Sequence, residues 1–191
     1  MHTQYQNSGG FVPQHGGYKR LMSYHRAEII YDGTVYFTNR FYATFDRTVG
    51  QMVQAARSGK QNIAEGSMAS ATSKETEIKL TNVARASLEE LMIDYEDFLR
   101  QHGLLRWPVN HRYVERLREL NRSAKLPGYD CFRKAIEHDD PEICANTMIT
   151  LIEICTYLLK RQIDRLEADF VTQGGLRERM HNARDAHRRK R

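Results

Sequence analysis

RTVGQMVQAARSGKQNIAEGSMASATSKETEIKLTNVARASLEELMIDYEDFLRQHG, Arg47 to Gly103, is the stretch whose reading decides the fold. Its second half sets Leu80, Ala84, Leu88, Leu91, Tyr95 and Phe98 at steps of three and four, on one face of a 3.6-residue spiral. Lys79, Arg85, Glu89, Glu90, Asp94 and Asp97 fall between them and belong to the polar side. The spacing predicts an amphipathic helix with one buried face. Thr72, followed three residues later by Glu75, fits a capping box at its start, and Ser73 serves equally well as the cap. Gly103 suits the left-handed position that closes a helix. About thirty residues at a rise of 1.5 Å make a rod of roughly 45 Å, a length suited to a bundle.

The first half, with the residues just before it, carries Phe45, Val49, Met52, Val53, Ala56 and Ile63 on one side of a second predicted helix. Gly50 and Gly59 interrupt it. An internal glycine costs about 1 kcal/mol relative to alanine, so each marks either close approach of a neighbouring backbone or simple tolerance in a long helix. Lys60, Asn62, Glu65 and Gly66 sit toward the helix end, where Gly66 reads as a C-cap. Asn62 and Glu65 read as hydrogen-bonding groups that fasten the turn, because a helix C-terminus is electrically unsuited to phosphate.

The run QAARSGKQNIAEGS, Gln54 to Ser67, followed by ETEIKLTNVARASLEEL, Glu75 to Leu91, resembles the bacterial four-helix-bundle family encoded in intervening sequences of large-subunit ribosomal RNA genes. It is most similar to the subgroup with a C-terminal extension, the "four helix bundle suffix" proteins. LLKRQIDRLEADFVTQGGLRERM, Leu158 to Met180, resembles that suffix. A related member is the accessory protein of diversity-generating retroelements, a basic pentameric barrel that associates with a reverse transcriptase and RNA. The resemblance implies an all-α, antiparallel four-helix bundle with a basic C-terminal suffix. It also implies a homo-oligomer, with a pentamer preferred, and RNA or a nucleic-acid enzyme as partner.

A chain of 191 residues suffices for one core of ordinary size, and 40% hydrophobic with 28% charged residues is ordinary for a soluble helical protein. Of four prolines, Pro108, Pro127 and Pro141 fall where helices begin or end, while Pro13 lies in the leader. Cys131, Cys144 and Cys155 lack metal-type spacing and read as free thiols of a reducing cytoplasm. Residues Met1 to Gly17, rich in Gly, Gln, Asn and His, read as a flexible leader with no signal-peptide core, and His2 and His15 as solvated side chains. No uninterrupted apolar run of about eighteen residues points to a membrane span.

The body is expected over residues 18 to 173. Tyr18 to Phe45 forms a helix whose Tyr24, Tyr31, Tyr36, Phe37, Phe41 and Tyr42 read as core rather than as a base-stacking platform. Asp32-Gly33 is a turn signal that could split this helix, although the resemblance favours a continuous one. An insert over about 104 to 139 holds two short helices, Asn110 to Arg122 and Tyr129 to Glu137, divided at Leu126-Pro127-Gly128. The last long helix begins near Asp140-Pro141 and is apolar around most of its circumference from Ile143 to Leu166. Its second face needs a cover. Either the insert or a neighbouring subunit supplies it, and the resemblance favours the subunit.

The suffix, 174 to 191, holds the charge. From Leu176 onward Arg177, Arg179, Arg184, Arg188, Arg189, Lys190 and Arg191 stand against Glu178 and Asp185. That net of +5 equals the net charge of the whole chain, so the rest is formally neutral and any anion-binding function is placed in the suffix. Leu176 and Met180, one turn apart, are the alternative, as anchors that pack LRERM back on the body.

No catalytic constellation is visible. A di-iron bundle needs paired Glu-x-x-His motifs, and the one such spacing, Glu178 to His181, lies in the suffix. No P-loop, dinucleotide fingerprint or HExxH pattern occurs. A HEPN-type ribonuclease would need Arg-x4-6-His; Arg20–His25, Arg106–His111 and Arg133–His138 have that spacing, about the number chance supplies. The reading is a non-enzymatic, cytoplasmic, oligomeric bundle that binds RNA or other nucleic acid, accessory to a reverse transcriptase or similar enzyme, with no cofactor, metal or membrane. Its competitor is a protein-interaction scaffold with no nucleic-acid role.

Overall fold

A computed structural model describes residues 17–43, 45–123, 127–173 and 176–189. The leader with His2 and His15, Gly174-Gly175, Lys190 and Arg191 lie outside them. The described chain is all-helical. After a 3-10 turn, Gly17–Arg20, come α1 (Met22–Phe41), α2 (Arg47–Ala69), α3 (Lys74–Gln101), α4 (Arg112–Ser123), α5 (Tyr129–Ile136), α6 (Pro141–Gln173) and α7 (Leu176–Arg188). α2 packs along α3, α3 along α6, and α1 against both α2 and α6, and one core draws on these long helices together with Leu117 of α4 and Phe132 and Ile136 of α5. α4 and α5 pack on α6, and α5 also meets α1.

The α2–α3 hairpin follows its sequence pattern closely. Ala84, Leu88, Leu91, Tyr95 and Phe98 are all buried on α3, and Leu80 is half-buried. Ser73, not Thr72, is the cap: its hydroxyl accepts from Thr76 N at 3.1 Å, while the Thr72 hydroxyl donates back to Ala69 O. At the other end Gly103 has φ +67°, and Leu104 N reaches Leu99 O at 2.8 Å. These bonds close α3 in a Schellman motif.

α2 departs from expectation at both ends. Phe45 is 97% exposed, because Asp46 caps α2 by accepting from Thr48 N at 2.8 Å and leaves Phe45 outside the helix. Gly66 is no C-cap either. α2 runs on to Ala69, and Gly66 is buried inside it, where an added Cβ would lie 3.3 Å from Glu77 O and from Leu80 Cβ. It is a close-approach residue.

The two earlier glycines of α2 differ from each other. A Cβ on Gly59 would stand 2.7 Å from Cγ and Cδ2 of the fully buried Leu88, whereas one on Gly50 would meet nothing within 4 Å. Gly50→Ala is therefore expected to stabilise the protein by about 0.5–1 kcal/mol through helix propensity alone. Gly59→Ala should destabilise it by about 1–2 kcal/mol, overpacking outweighing the same propensity gain. Urea unfolding of the two variants checks this, and equal signs would contradict it.

α1 passes through Asp32-Gly33 unbroken. Gly33 lets α6 and α5 come close, a Cβ there meeting Met148 Sδ at 2.7 Å and Ile136 Cγ2 at 3.1 Å. The aromatic stripe is core, with Phe37 fully buried and Tyr24, Tyr31, Tyr36, Phe41 and Tyr42 packed at its edge.

α6 begins at Pro141, with Asp140 accepting from Glu142 N at 2.8 Å. Every residue from Cys144 to Ile152 is buried, and the insert helps cover the second face along this stretch. Phe132 and Ile136 of α5 are buried there, as are Val114 and Leu117 of α4. Asn146 straps the connecting segment down: its Oδ1 accepts from Trp107 N at 2.7 Å and its Nδ2 donates to Leu105 O at 2.8 Å. By length and composition α6 is apolar enough to cross a membrane, and 61% of that apolar window is buried inside the protein.

Candidate nucleic-acid interface

The suffix folds as a helix. α7 takes in Arg177, Arg179, Arg184 and Arg188, with Arg189 just beyond it; Arg184, Arg188 and Arg189 are exposed. Positions 177, 181, 184 and 188 recur at steps of four, three and four, which a helix gathers on one side. His181 on that side pairs with Asp185 at 3.3 Å. Met180 is 41% exposed, so the packed-back alternative gains no support at that position, and the side chain of Leu176 lies outside the described residues.

The NIAEG residues do structural work within the hairpin and toward α1. Asn62 Nδ2 donates to Ser58 O at 2.9 Å and to Ser58 Oγ at 3.1 Å, and the Ser58 hydroxyl shares a 2.9 Å hydrogen bond with Ser87 of α3. The fastening thus lies two to three turns before the interhelical connection. Lys60 places its ammonium 4.2 Å from the ring centroid of Tyr31 on α1, a cation–π contact. Glu65 is exposed.

The Arg-His spacings do not form matching pairs. Arg106 is held between Glu96 at 2.6 Å and Glu153 at 2.9 Å, while His111 stacks on Trp107 with centroids 4.4 Å apart. Arg133 pairs with Asp130 and Glu137, and His138 Nδ1 accepts from Asp140 N. His25 Nε2 donates to Lys19 O at 2.7 Å. Among the described residues no group of three or more His, Cys, Asp or Glu is placed to hold a metal ion.

A second cationic place lies between α4 and α6. Arg118, Asn121 and Arg122 of α4 face Ile154, Tyr157 and Leu158 of α6 across a surface pocket of about 400 Å³. Glu153 also lines it, but that carboxylate takes Arg118 at 3.2 Å and Arg106 at 2.9 Å, so its charge is matched twice. Arg122 is exposed, as is Arg161, one turn beyond Tyr157; neither has a carboxylate partner among the described residues. Behind Asn121 stands Arg26 of α1, wholly buried. Its Nε donates to Asn121 Oδ1, its Nη1 donates to Pro127 O at 2.8 Å, and its Nη2 has no partner among the described residues. Burial pulls the Arg26 pKa below the ordinary arginine value, opposed by the nearby thiols of Cys155 and Cys131.

Sequence reasoning missed this place. Tyr157 falls inside the apolar stretch from Ile143 to Leu166, and Arg26 lies amid the aromatic stripe with nothing in the local pattern to mark it as buried. The one available signal was spacing: Tyr157 and Arg161 sit one turn apart on the side of α6 opposite Cys155 and Leu159. Comparison with protein-family models, with curated proteins and with solved structures gives no match to the chain.

Proposed function

We propose that this chain is an antiparallel four-helix bundle, built from α1, α2, α3 and α6, that binds RNA or other nucleic acid through its basic suffix. It has no catalytic role and no cofactor. It acts in the cytoplasm as an accessory to a reverse transcriptase or another nucleic-acid enzyme, the role that the resemblance to the retroelement accessory protein implies. The observation that carries the reading is the concentration of the chain's entire net charge of +5 in residues 176 to 191, with Arg184, Arg188 and Arg189 exposed. Arginine and lysine at these positions contact phosphates without reading bases, which makes affinity largely independent of sequence.

Assembly belongs to the same proposal. A homo-oligomer, the pentamer preferred, would gather several suffixes into one positive field, and effective concentration strengthens contacts that are individually weak. Since the insert covers α6 from Cys144 to Ile152, the subunit surface lies elsewhere in this reading, and the exposed Val171 farther along α6 is available to it. A protein-interaction scaffold is the second reading, favoured by the exposed Leu105, Val109 and Tyr113 around Trp107.

One experiment addresses both. Chains with and without the residues after Gly175 are compared for nucleic-acid affinity at low salt, melting temperature and mass by light scattering. Affinity is expected to collapse on truncation while the melting temperature holds. Unchanged affinity would exclude the suffix as the main site, and a monomer of 22.3 kDa at micromolar concentration would exclude the assembly.

A further inference from the structure

We infer that the pocket between α4 and α6 receives one unpaired nucleotide, its base stacked on Tyr157 and its phosphates held by Arg122 and Arg161. The inference deepens the nucleic-acid reading and rests on it for the class of ligand.

The chemistry of the lining selects that class. Tyr157 is 60% exposed, with Ile154 and Leu158 beside it, so a planar base finds an aromatic face with an apolar surround. Stacking of this kind is tolerant of sequence, because every base has a π-face. The rim supplies donors. Arg26 Nε takes Asn121 Oδ1, and this fixes the amide so that Nδ2 is turned away from the buried guanidinium as a donor. Arg122 and Arg161 add two cations with no carboxylate partner among the described residues, and the one carboxylate of the lining, Glu153, is already matched by Arg106 and Arg118. Arg26, wholly buried and with no carboxylate partner among the described residues, adds positive potential from behind.

Position adds a second argument. Tyr157 and Arg161 are one helical turn apart, 5–6 Å between Cβ atoms, close to the spacing of base and neighbouring phosphate along a strand. From Tyr157 the rest of α6 covers roughly 24 Å, at 1.5 Å per residue, to the point where the basic suffix begins. A single strand of a few nucleotides spans that length. A duplex cannot present an unpaired base to Tyr157, so the pocket discriminates single from double strands where the suffix does not.

Fluorescence anisotropy of the full chain with a labelled 20-nucleotide oligouridylate and with a duplex of equal length tests this. Tyr157→Leu is expected to weaken single-strand binding about 5- to 100-fold, the size of one stacked base, and to leave duplex binding unchanged. Tyr157→Phe should keep the single-strand affinity, and Arg122→Gln with Arg161→Gln should lower it. The Tyr157 variants are repeated in a full-length chain with the seven suffix cations changed to glutamine. Duplex binding should vanish there while a weak Tyr157-dependent single-strand affinity remains, so loss of the suffix reading and loss of the pocket are separable. Competition by uridine 5′-monophosphate would assign the pocket to free nucleotides, and competition by oligomers alone would assign it to strands. Equal single-strand affinity in Tyr157→Leu and the unaltered chain overturns the inference, as does equal loss on both substrates. Tyr157-dependent binding of polyglutamate in place of uridylate would overturn it in favour of an acidic peptide.

Discussion

Phe37→Ala is expected to destabilise the protein by about 3–5 kcal/mol, the range for emptying a fully buried aromatic site. Phe37 touches the rings of Tyr95 and Phe98, each with centroids 4.8 Å away, and that of Phe41 at 5.1 Å, so one side chain joins α1 to α3. Beside it the buried Tyr95 hydroxyl donates to Thr34 Oγ1 at 3.0 Å, and burial holds that phenol's pKa well above the ordinary tyrosine value. A cavity at Phe37 therefore opens next to a buried polar group as well as between helices. For a chain of this size the melting temperature should fall by roughly 6–20 °C. Phe45→Ala, which deletes the same ring from a 97% exposed position, should move stability by less than about 0.5 kcal/mol. Chemical unfolding of the two variants decides the matter, and similar losses would contradict the packing described.

The second large effect concerns Arg26. It joins α1 to the insert, donating to Asn121 at the end of α4 and to Pro127 before α5, with its guanidinium 5.9 Å from the Phe132 ring centroid. Arg26→Lys keeps a buried positive charge but lacks the planar fork that reaches two acceptors at once. One acceptor is then stranded, at about 1–3 kcal/mol, and the charge stays desolvated without a carboxylate. Arg26→Met strands both acceptors yet removes the buried charge while keeping the volume. The lysine variant is accordingly expected to lose about 3–5 kcal/mol and the methionine variant about 1–3 kcal/mol. Hydrogen exchange of α4 and α5 should rise in both. A lysine variant more stable than the methionine variant would show that Arg26 is not desolvated as described.

Much of the fold was legible because its signals are local. The α3 face from Ala84 to Phe98 shows as a period, Gly103 as a stop, and Asp140-Pro141 as a start, and all three stand in the structure. Phe45 failed because its spacing matched the helix but the cap at Asp46 ended the helix first. Gly50 and Gly59 look alike in one dimension; only the position of Leu88 separates them. The cover of α6 was equally hidden, since an apolar second face states that something packs there and not what. For the candidate site, the suffix charge was plain from composition. The pocket was not, because it needs residues near 121, 157 and 26 to meet, and no local pattern relates positions so far apart.

The measurement closest to the central claim is the salt dependence of duplex affinity for the unaltered chain and for the full-length chain with Arg177, Arg179, Arg184, Arg188, Arg189, Lys190 and Arg191 changed to glutamine. Each phosphate neutralised adds about 0.9 to the magnitude of the slope of log K against log salt concentration. Seven contacts would give a slope near −6, and the changed chain should bind weakly with a slope near zero. Equal slopes and affinities for the two proteins would contradict a suffix that binds nucleic acid.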